Sequence, residues 1–166
     1  MGGEVYRLII NVLVFLCFIL HPVTASSKIL ASDTVWKGEV SVSEDVLIPE
    51  GVTLTITPGT VIKVTSPEST KTDPEYLSPM TEITVRGTLR SDGRQNAPII
   101  FRTDKETDER GSWAGILIDG GTASVSSCRI QGAETGIYVL KGTLVAADAV
   151  FRENRYGLVA RDRKRK

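Results

Sequence analysis

The sequence predicts an all-β solenoid, a chain that winds into coils stacked along one axis. Three observations support this fold class. The segment GILI at 115–118 returns as GIYV at 136–139 and as GLVA at 157–160, in steps of 21 residues. Apolar residues alternate with others inside each segment, which is typical of a strand with one buried face. The pair Gly-Thr at 121–122 returns at 142–143, where glycine favours a turn.

The first 25 residues predict an export signal. Residues 8–20, LIINVLVFLCFIL, are largely apolar, but they are fewer than the roughly 20 that a membrane-spanning helix needs. Val23 and Ala25 occupy the positions that a signal peptidase reads. We therefore expect cleavage after Ala25 and a secreted, periplasmic or cell-surface location. An uncleaved membrane anchor is the alternative, and it would be the only contact with a membrane.

The chain after cleavage divides into three parts. Residues 26–45 are expected to form an N-terminal cap region, in which Trp36 covers the first coil. Residues 46–160 form the solenoid, and residues 161–166 form a basic tail. At 21 residues a coil, the processed chain makes about six coils.

Two polar stretches interrupt the repeat. The turns at 58–60 (PGT) and 86–88 (RGT) resemble the later Gly-Thr turn, but their spacings exceed 21 residues. The surplus falls in 65–80 and 102–112, each of which follows one apolar strand and precedes the next. We therefore expect two inserts that leave the solenoid at the same corner and stack as neighbours.

Equivalent positions should form ladders along the axis. Two ladders are predicted to face inward, and one apolar ladder faces outward, where it marks an interface or is covered by a terminal segment. The inward ladders are Ile116, Ile137, Leu158 and Ile118, Val139, Ala160, and the outward ladder is Leu117, Tyr138, Val159.

Composition restricts the chemistry. The formal net charge is zero, which argues against a nucleic-acid binder. After cleavage the chain contains no histidine and one cysteine, Cys128. These counts exclude an internal disulfide, histidine-dependent triads and the usual zinc sites. No metal site is predicted, and Cys128 is expected as a small buried residue on an inward face.

Charge is concentrated at the carboxyl end. Residues 151–166 contain seven basic and two acidic residues. A solvated end that discourages edge-to-edge assembly explains them, and contact with a polyanion is the alternative. The last coil shows no cap in the sequence, so its edge is also a candidate docking site for a partner.

Several segments carry a resemblance to a known family. VTLTITPGTVIKV at 52–64, ITVRGTL at 83–89, NAPIIF at 96–101 and WAGILIDGG at 113–121, with the coils that begin at 115 and 136, resemble the pectin-lyase-like right-handed parallel β-helix proteins. The resemblance covers residues 36–160 and implies a right-handed parallel β-helix. This family includes polysaccharide lyases and hydrolases, surface adhesins and envelope proteins, so the fold alone does not decide the activity.

The inserts and the strand after them contain the candidate site residues. Aromatic rings can receive the apolar face of a sugar, and carboxylates can accept hydroxyl hydrogen bonds or bind calcium. Asp119 lies on a regular coil facing outward, where a turn-forming role is the alternative. The ligand-binding candidates are Tyr76, Trp113 and Arg110, and the weak catalytic candidates are Asp104, Asp108 and Asp119.

These observations favour a secreted or envelope-associated module that binds polysaccharide through the inserts and is not an enzyme. Two alternatives stay open. The first is a polysaccharide lyase or glycosidase that uses the three aspartates, with calcium as the cofactor of a lyase. The second is a fragment of a larger adhesin-like surface protein. No other cofactor is expected.

Overall fold

The structure, a computed structural model, describes residues 28–65, 79–103 and 110–161. The predicted signal segment and most of both insert stretches lie outside these residues. Every regular element that is described is a β-strand, so no helix of membrane-crossing length and apolarity occurs among them. The strands are β1 (Lys28–Ile29), β2 (Thr34–Trp36), β3 (Glu39–Val42), β4 (Val46–Ile48), β5 (Thr53–Ile56), β6 (Val61–Val64), β7 (Glu82–Val85), β8 (Thr88–Asp92), β9 (Ile99–Thr103), β10 (Trp113–Ser126), β11 (Cys128–Gln131), β12 (Ala133–Ala147), β13 (Val150–Arg152) and β14 (Tyr156–Ala160).

The strands form two parallel sheets, one of nine strands and one of five. We divide the nine-stranded sheet into sheets 1 and 2, because each coil crosses it twice and β10 and β12 run through both parts. Sheet 1 contains β1, β4, β7, the first parts of β10 and β12, and β14, and sheet 2 contains β2, β5, β8 and the remaining parts of β10 and β12. Sheet 3 contains β3, β6, β9, β11 and β13. The described residues therefore form a parallel β-helix of five complete coils and the first strand of a sixth. The predicted fold class is confirmed.

The register stacks equivalent side chains as the sequence predicts. Ile116 pairs with Ile137, and Ile137 pairs with Leu158, at the spacing of the sequence repeat. The two isoleucines are at most 1% exposed, whereas Leu158 is 50% exposed because β14 pairs only with β12 among the described strands. Burying such an aliphatic side chain contributes roughly 1.5–3 kcal/mol, so these inward columns supply much of the stability.

The spacing of the sequence repeat holds only for the last coils. In sheet 1, Val46 pairs with Ile83, which pairs with Ile116, and both of these steps are longer than the repeat. Most of the extra residues lie between sheets 3 and 1, where 66–78 follows β6 and 104–109 follows β9, and some lie at 93–98 between β8 and β9. Because β6 pairs with β9 and β7 pairs with β10, both stretches connect the same two sheets. Their departure from the β-helix as inserts and their stacking stay predictions.

One predicted turn equivalence is wrong. Thr88 pairs with Thr53 on one side and with Thr122 on the other. The turn at 58–60 therefore does not correspond to the turn at 86–88, and it precedes β6 in sheet 3 instead. The pattern misled because a glycine and a threonine before an apolar residue occur at two different corners of this chain.

The described part of the segment 26–45 forms the first coil of the β-helix, and its role as a cap stays a prediction. β1, β2 and β3 pair in parallel with β4, β5 and β6. Trp36 lies in register with Ile56 and is 7% exposed, so this large ring ends an inward column of sheet 2. The boundary expected at residue 45 has no counterpart in the strand pairing.

Candidate functional site

A groove of about 280 Å³ lies on the outer surface of sheet 1, beside the corner where both insert stretches connect sheet 3 to sheet 1. Glu82 follows the first stretch and Ala114 follows the second, so the groove begins where both stretches end in the sequence. Its lining residues come from β7, β10, β12 and β14, and they are Glu82, Ala114, Gly115, Ile116, Leu117, Glu134, Thr135, Tyr138 and Tyr156.

Gly115 creates the space in this groove. The outward column runs from Glu82 through Gly115 and Thr135 to Tyr156, and the glycine leaves one position without a side chain. Its φ of +119° is unfavourable for other residues. A Cβ at this position would also overlap the Thr135 carbonyl oxygen. Because this backbone conformation excludes a side chain at position 115, the gap in the outward column is a fixed feature of the groove.

A β-bulge accompanies this glycine. Gly115 pairs with Thr135, while Ile116 pairs with Ile137, so Gly136 is the extra residue. A second shift after Ile118 places Lys141 beside Asp119. The sequence repeat thus predicts the inward ladder correctly. It wrongly places Gly136 opposite Gly115 and Leu140 opposite Asp119, however.

The two carboxylates of the groove differ in environment. Glu82 is 2% exposed, and its carboxylate accepts a hydrogen bond from the Thr84 hydroxyl. The Glu82 backbone amide donates to Oδ1 of the buried Asp45 at 2.8 Å. Glu134 is half-buried, and its Oε1 lies 3.4 Å from a guanidinium nitrogen of Arg155. Glu82 therefore holds the strand in place, and Glu134 is the carboxylate that a ligand can reach.

Two tyrosines form the aromatic part of the groove. Tyr156 is 57% exposed, and Tyr138 is partly exposed. Tyr138 stacks between Leu117 and Val159, as the predicted outward ladder requires, although Leu117 itself is buried. Sequence reasoning missed Tyr156 as a site residue. The available signal was its place directly before the repeating glycine, in the outward column of Gly115.

Trp113 is not an aromatic platform, contrary to the prediction. Its side chain is completely buried in the core, and its indole Nε1–H donates to the Gln131 carbonyl at 2.9 Å. Neither face of the ring is open to a sugar. The alternation of buried and partly exposed residues in β10 breaks at Gly115, whose φ is +119°, so the sequence pattern did not reveal that Trp113 is buried.

Two other predicted site residues, Asp119 and Arg110, do not line the groove. Asp119 forms an ion pair with Arg86 at 3.0 Å, which ties its carboxylate to the preceding coil. Arg110 is exposed in the turn before β10 and does not line the groove. The remaining three, Tyr76, Asp104 and Asp108, lie outside the described residues. In 28–65, 79–103 and 110–161 no group of three or more potential metal ligands occurs.

Cys128 is a buried inward residue, as predicted. It is 2% exposed and unpaired, and its Sγ lies 3.2 Å from the Ser91 hydroxyl. Burial raises the pKa of this thiol above its ordinary value of 9.0, against the opposing effect of the hydrogen bond with Ser91. The neutral thiol is a poor nucleophile, so Cys128 contributes packing.

The coils and the groove define the class of protein as a three-sheet parallel β-helix with an open cleft on one sheet. The sequence model of the pectate-lyase-like beta helix domain matches residues 28–150. The chain belongs to this family, which confirms the resemblance seen in its sequence. Comparisons with curated proteins and with solved structures each found no match.

Proposed function

We propose that this protein is an exported β-helix module that binds polysaccharide in the sheet 1 groove and does not cleave it. The observation that carries the proposal is the placement of two accessible tyrosines and one accessible carboxylate around the gap at Gly115. The lining residues Glu82 and Ala114 follow the two insert stretches in the sequence, so the loops 65–80 and 102–112 are part of the proposal as further contacts to the glycan.

The chemistry of the groove suits a sugar chain. The rings of Tyr138 and Tyr156 can pack against the apolar face of a pyranose, and their hydroxyl groups can donate hydrogen bonds. The Glu134 carboxylate can accept hydrogen bonds from sugar hydroxyls. The groove crosses coils 3 to 5 and β14, so a linear polymer can lie along the axis of the β-helix.

The ion pair of Asp119 supports binding without cleavage. A retaining or inverting glycosidase needs two carboxyl groups placed across one glycosidic bond. Asp119 pairs with Arg86 and lies outside the lining of the groove, and Glu82 is buried under hydrogen bonds. Among the described residues, Glu134 is then the single lining carboxylate that a substrate can approach.

A glycan array combined with product analysis tests the proposal. We expect binding without shortening of the glycan, and Tyr156→Ala should weaken it about two- to tenfold, the contribution of one aromatic contact. Val145→Ala is the control, because Val145 is similarly exposed at 61% but lies on sheet 2. Equal effects of the two substitutions would contradict the site. If the unchanged protein releases cleavage products and Glu134→Gln does not, the protein is an enzyme and the proposal of binding without cleavage is wrong.

Export is part of the same proposal. The thirteen-residue apolar run and Ala25 support processing before residue 26. Amino-terminal sequencing of the protein recovered outside the cytoplasm should begin at Ser26. Recovery of the intact chain in the membrane fraction would favour the uncleaved anchor instead.

A further inference from the structure

Four cations form a line along the outer surface of sheet 3, one from each of coils 2 to 5. Lys63 pairs with Arg102, and the pairing of Phe101 with Ile130 places Gln131 next in this column. Gln131 in turn pairs with Arg152. Arg129 lies in the adjacent column, between Ile100 and Val150. We call Lys63, Arg102, Arg129 and Arg152 the basic row.

The spacing of the basic row follows from the fold. Neighbouring strands in a sheet lie about 4.8 Å apart, so each coil advances the row by that distance. The residues alternate with inward-facing partners along β6, β9, β11 and β13, which keeps the cations on one surface. The row therefore runs parallel to the axis over two adjacent outward columns, with Lys63, Arg102 and Arg152 in one column and Arg129 in the other.

The three arginines of the row have no carboxylate partner in the described residues. Lys63 pairs with Glu39 at 2.7 Å. Arg102 instead donates only to the backbone carbonyl of Thr103, at 3.4 Å. Arg129 has a buried Nε–H that lacks an acceptor. Arg152 is exposed without an ion pair to any described residue. By contrast, Arg86 and Arg155, which lie on other parts of the β-helix, each have a carboxylate partner.

We infer that the basic row binds a linear acidic polysaccharide. A guanidinium pairs with a carboxylate or a sulfate through two parallel hydrogen bonds, and a polymer with a charge on each sugar presents such groups at regular intervals. An anion beside Arg129 would supply the negative charge that the described protein does not. The partly exposed aliphatic residues Ile100 and Val150 flank Arg129, where apolar sugar faces can pack.

The geometry favours a polysaccharide over other polyanions. The outward residues of β3, β6, β9, β11 and β13 include no aromatic side chain, although single-stranded nucleic acid is bound largely by aromatic stacking. A lipid surface is contacted by a broad basic plane, whereas this row covers two adjacent columns of outward residues. The row also lies on a different sheet from the groove, so this inference does not depend on the groove.

Binding of polygalacturonate to the whole protein tests the inference, with the methyl-esterified polymer as the uncharged probe. The substitutions Arg102→Gln, Arg129→Gln and Arg152→Gln together should weaken binding about tenfold, since one exposed ion pair contributes a factor of roughly 1.5 to 5. The matched control combines Arg90→Gln, Arg94→Gln and Arg161→Gln, which removes the same charge from exposed positions outside sheet 3. Binding should also weaken as salt is raised.

Several results would overturn the inference. They are equal losses in the two triple variants, equal binding of the esterified polymer, or tighter binding to anionic phospholipid vesicles or to single-stranded DNA than to polygalacturonate. If the triple variant does not fold, the exposed Arg152→Gln alone should cost about two- to fivefold, and no loss would count against the row. A loss of polygalacturonate binding in Tyr156→Ala that equals the loss in the triple variant would place the polymer in the groove and would also overturn the inference.

Discussion

Replacing Gly115 by alanine should destabilise the β-helix much more than replacing Gly120. Both glycines lie in β10 with positive φ, +119° and +94°. Nothing lies within 4 Å of a Cβ at Gly120. A Cβ at Gly115 would overlap the Thr135 carbonyl oxygen and lie 2.8 Å from the Thr135 carbonyl carbon and 3.2 Å from the Gly136 oxygen. Both substitutions therefore force alanine into a backbone conformation with positive φ, but only Gly115→Ala also brings the new Cβ too close to atoms of the neighbouring strand.

The expected magnitudes follow from these contacts. Alanine at positive φ costs about 1–2 kcal/mol, which is the whole expected effect at Gly120. At Gly115 the two coils must also separate, because unbonded heavy atoms settle at about 3.5 Å. Loss of two hydrogen bonds between β10 and β12 would add about 1–3 kcal/mol. Gly115→Ala should then cost about 2–5 kcal/mol in total.

Urea denaturation followed by far-ultraviolet circular dichroism measures both effects. The midpoint for Gly115→Ala should lie clearly below that for Gly120→Ala at an unchanged slope. The Gly115 variant should also lose glycan binding, because the methyl group fills the gap in the groove. Equal midpoints for the two variants would refute the reasoning, since they would mean that coils 4 and 5 do not approach each other closely at this glycine.

Two further predictions concern buried polar groups. Because burial raises the Cys128 pKa above 9.0, only the unfolded state loses this proton just above that pH, so the free energy of unfolding should fall as pH rises past 9.0. Cys128→Ala should show a smaller fall, and identical pH profiles would contradict the shift. Asn154 bridges two coils, since its Oδ1 accepts from the Ala133 amide at 2.8 Å and its Nδ2 donates to the Ile130 carbonyl at 2.9 Å. Asn154→Ala should cost about 1–3 kcal/mol in the same urea assay, and an unchanged midpoint would show that water replaces both bonds.

The sequence predicts the inward columns well because hydrophobic burial imposes a strict pattern. Ile116, Ile137 and Leu158 must face the same interior, so their spacing records the coil directly. The position of Cys128 opposite Ile99 in sheet 3 was accessible by the same logic. Such ladders depend on side-chain type alone, and no knowledge of the backbone is needed to recognise them.

The site was harder to predict because it depends on backbone irregularities. Trp113 is buried in the core although it lies two residues before Gly115, and the missing side chain of Gly115 leaves the gap that Tyr156 borders. Nothing in the residue pattern distinguishes this glycine from one in an ordinary turn. The pairing of Asp119 with Arg86 joins residues 33 positions apart, a separation that reflects the long third coil and not the sequence repeat.

The corner between sheets 3 and 1 has a consequence for how such a protein can change. The connection there is longest between β6 and β7 and shorter between β9 and β10, and it shrinks to a single residue, Gly132, between β11 and β12. The parallel pairing on either side survives all of these lengths. A foreign peptide grafted at Gly132 would consequently extend the rim of the groove while leaving the interior unaltered. The length of the chain at this corner and the packing of the interior are thus separable, so the corner can accept insertions without renewed selection for the core.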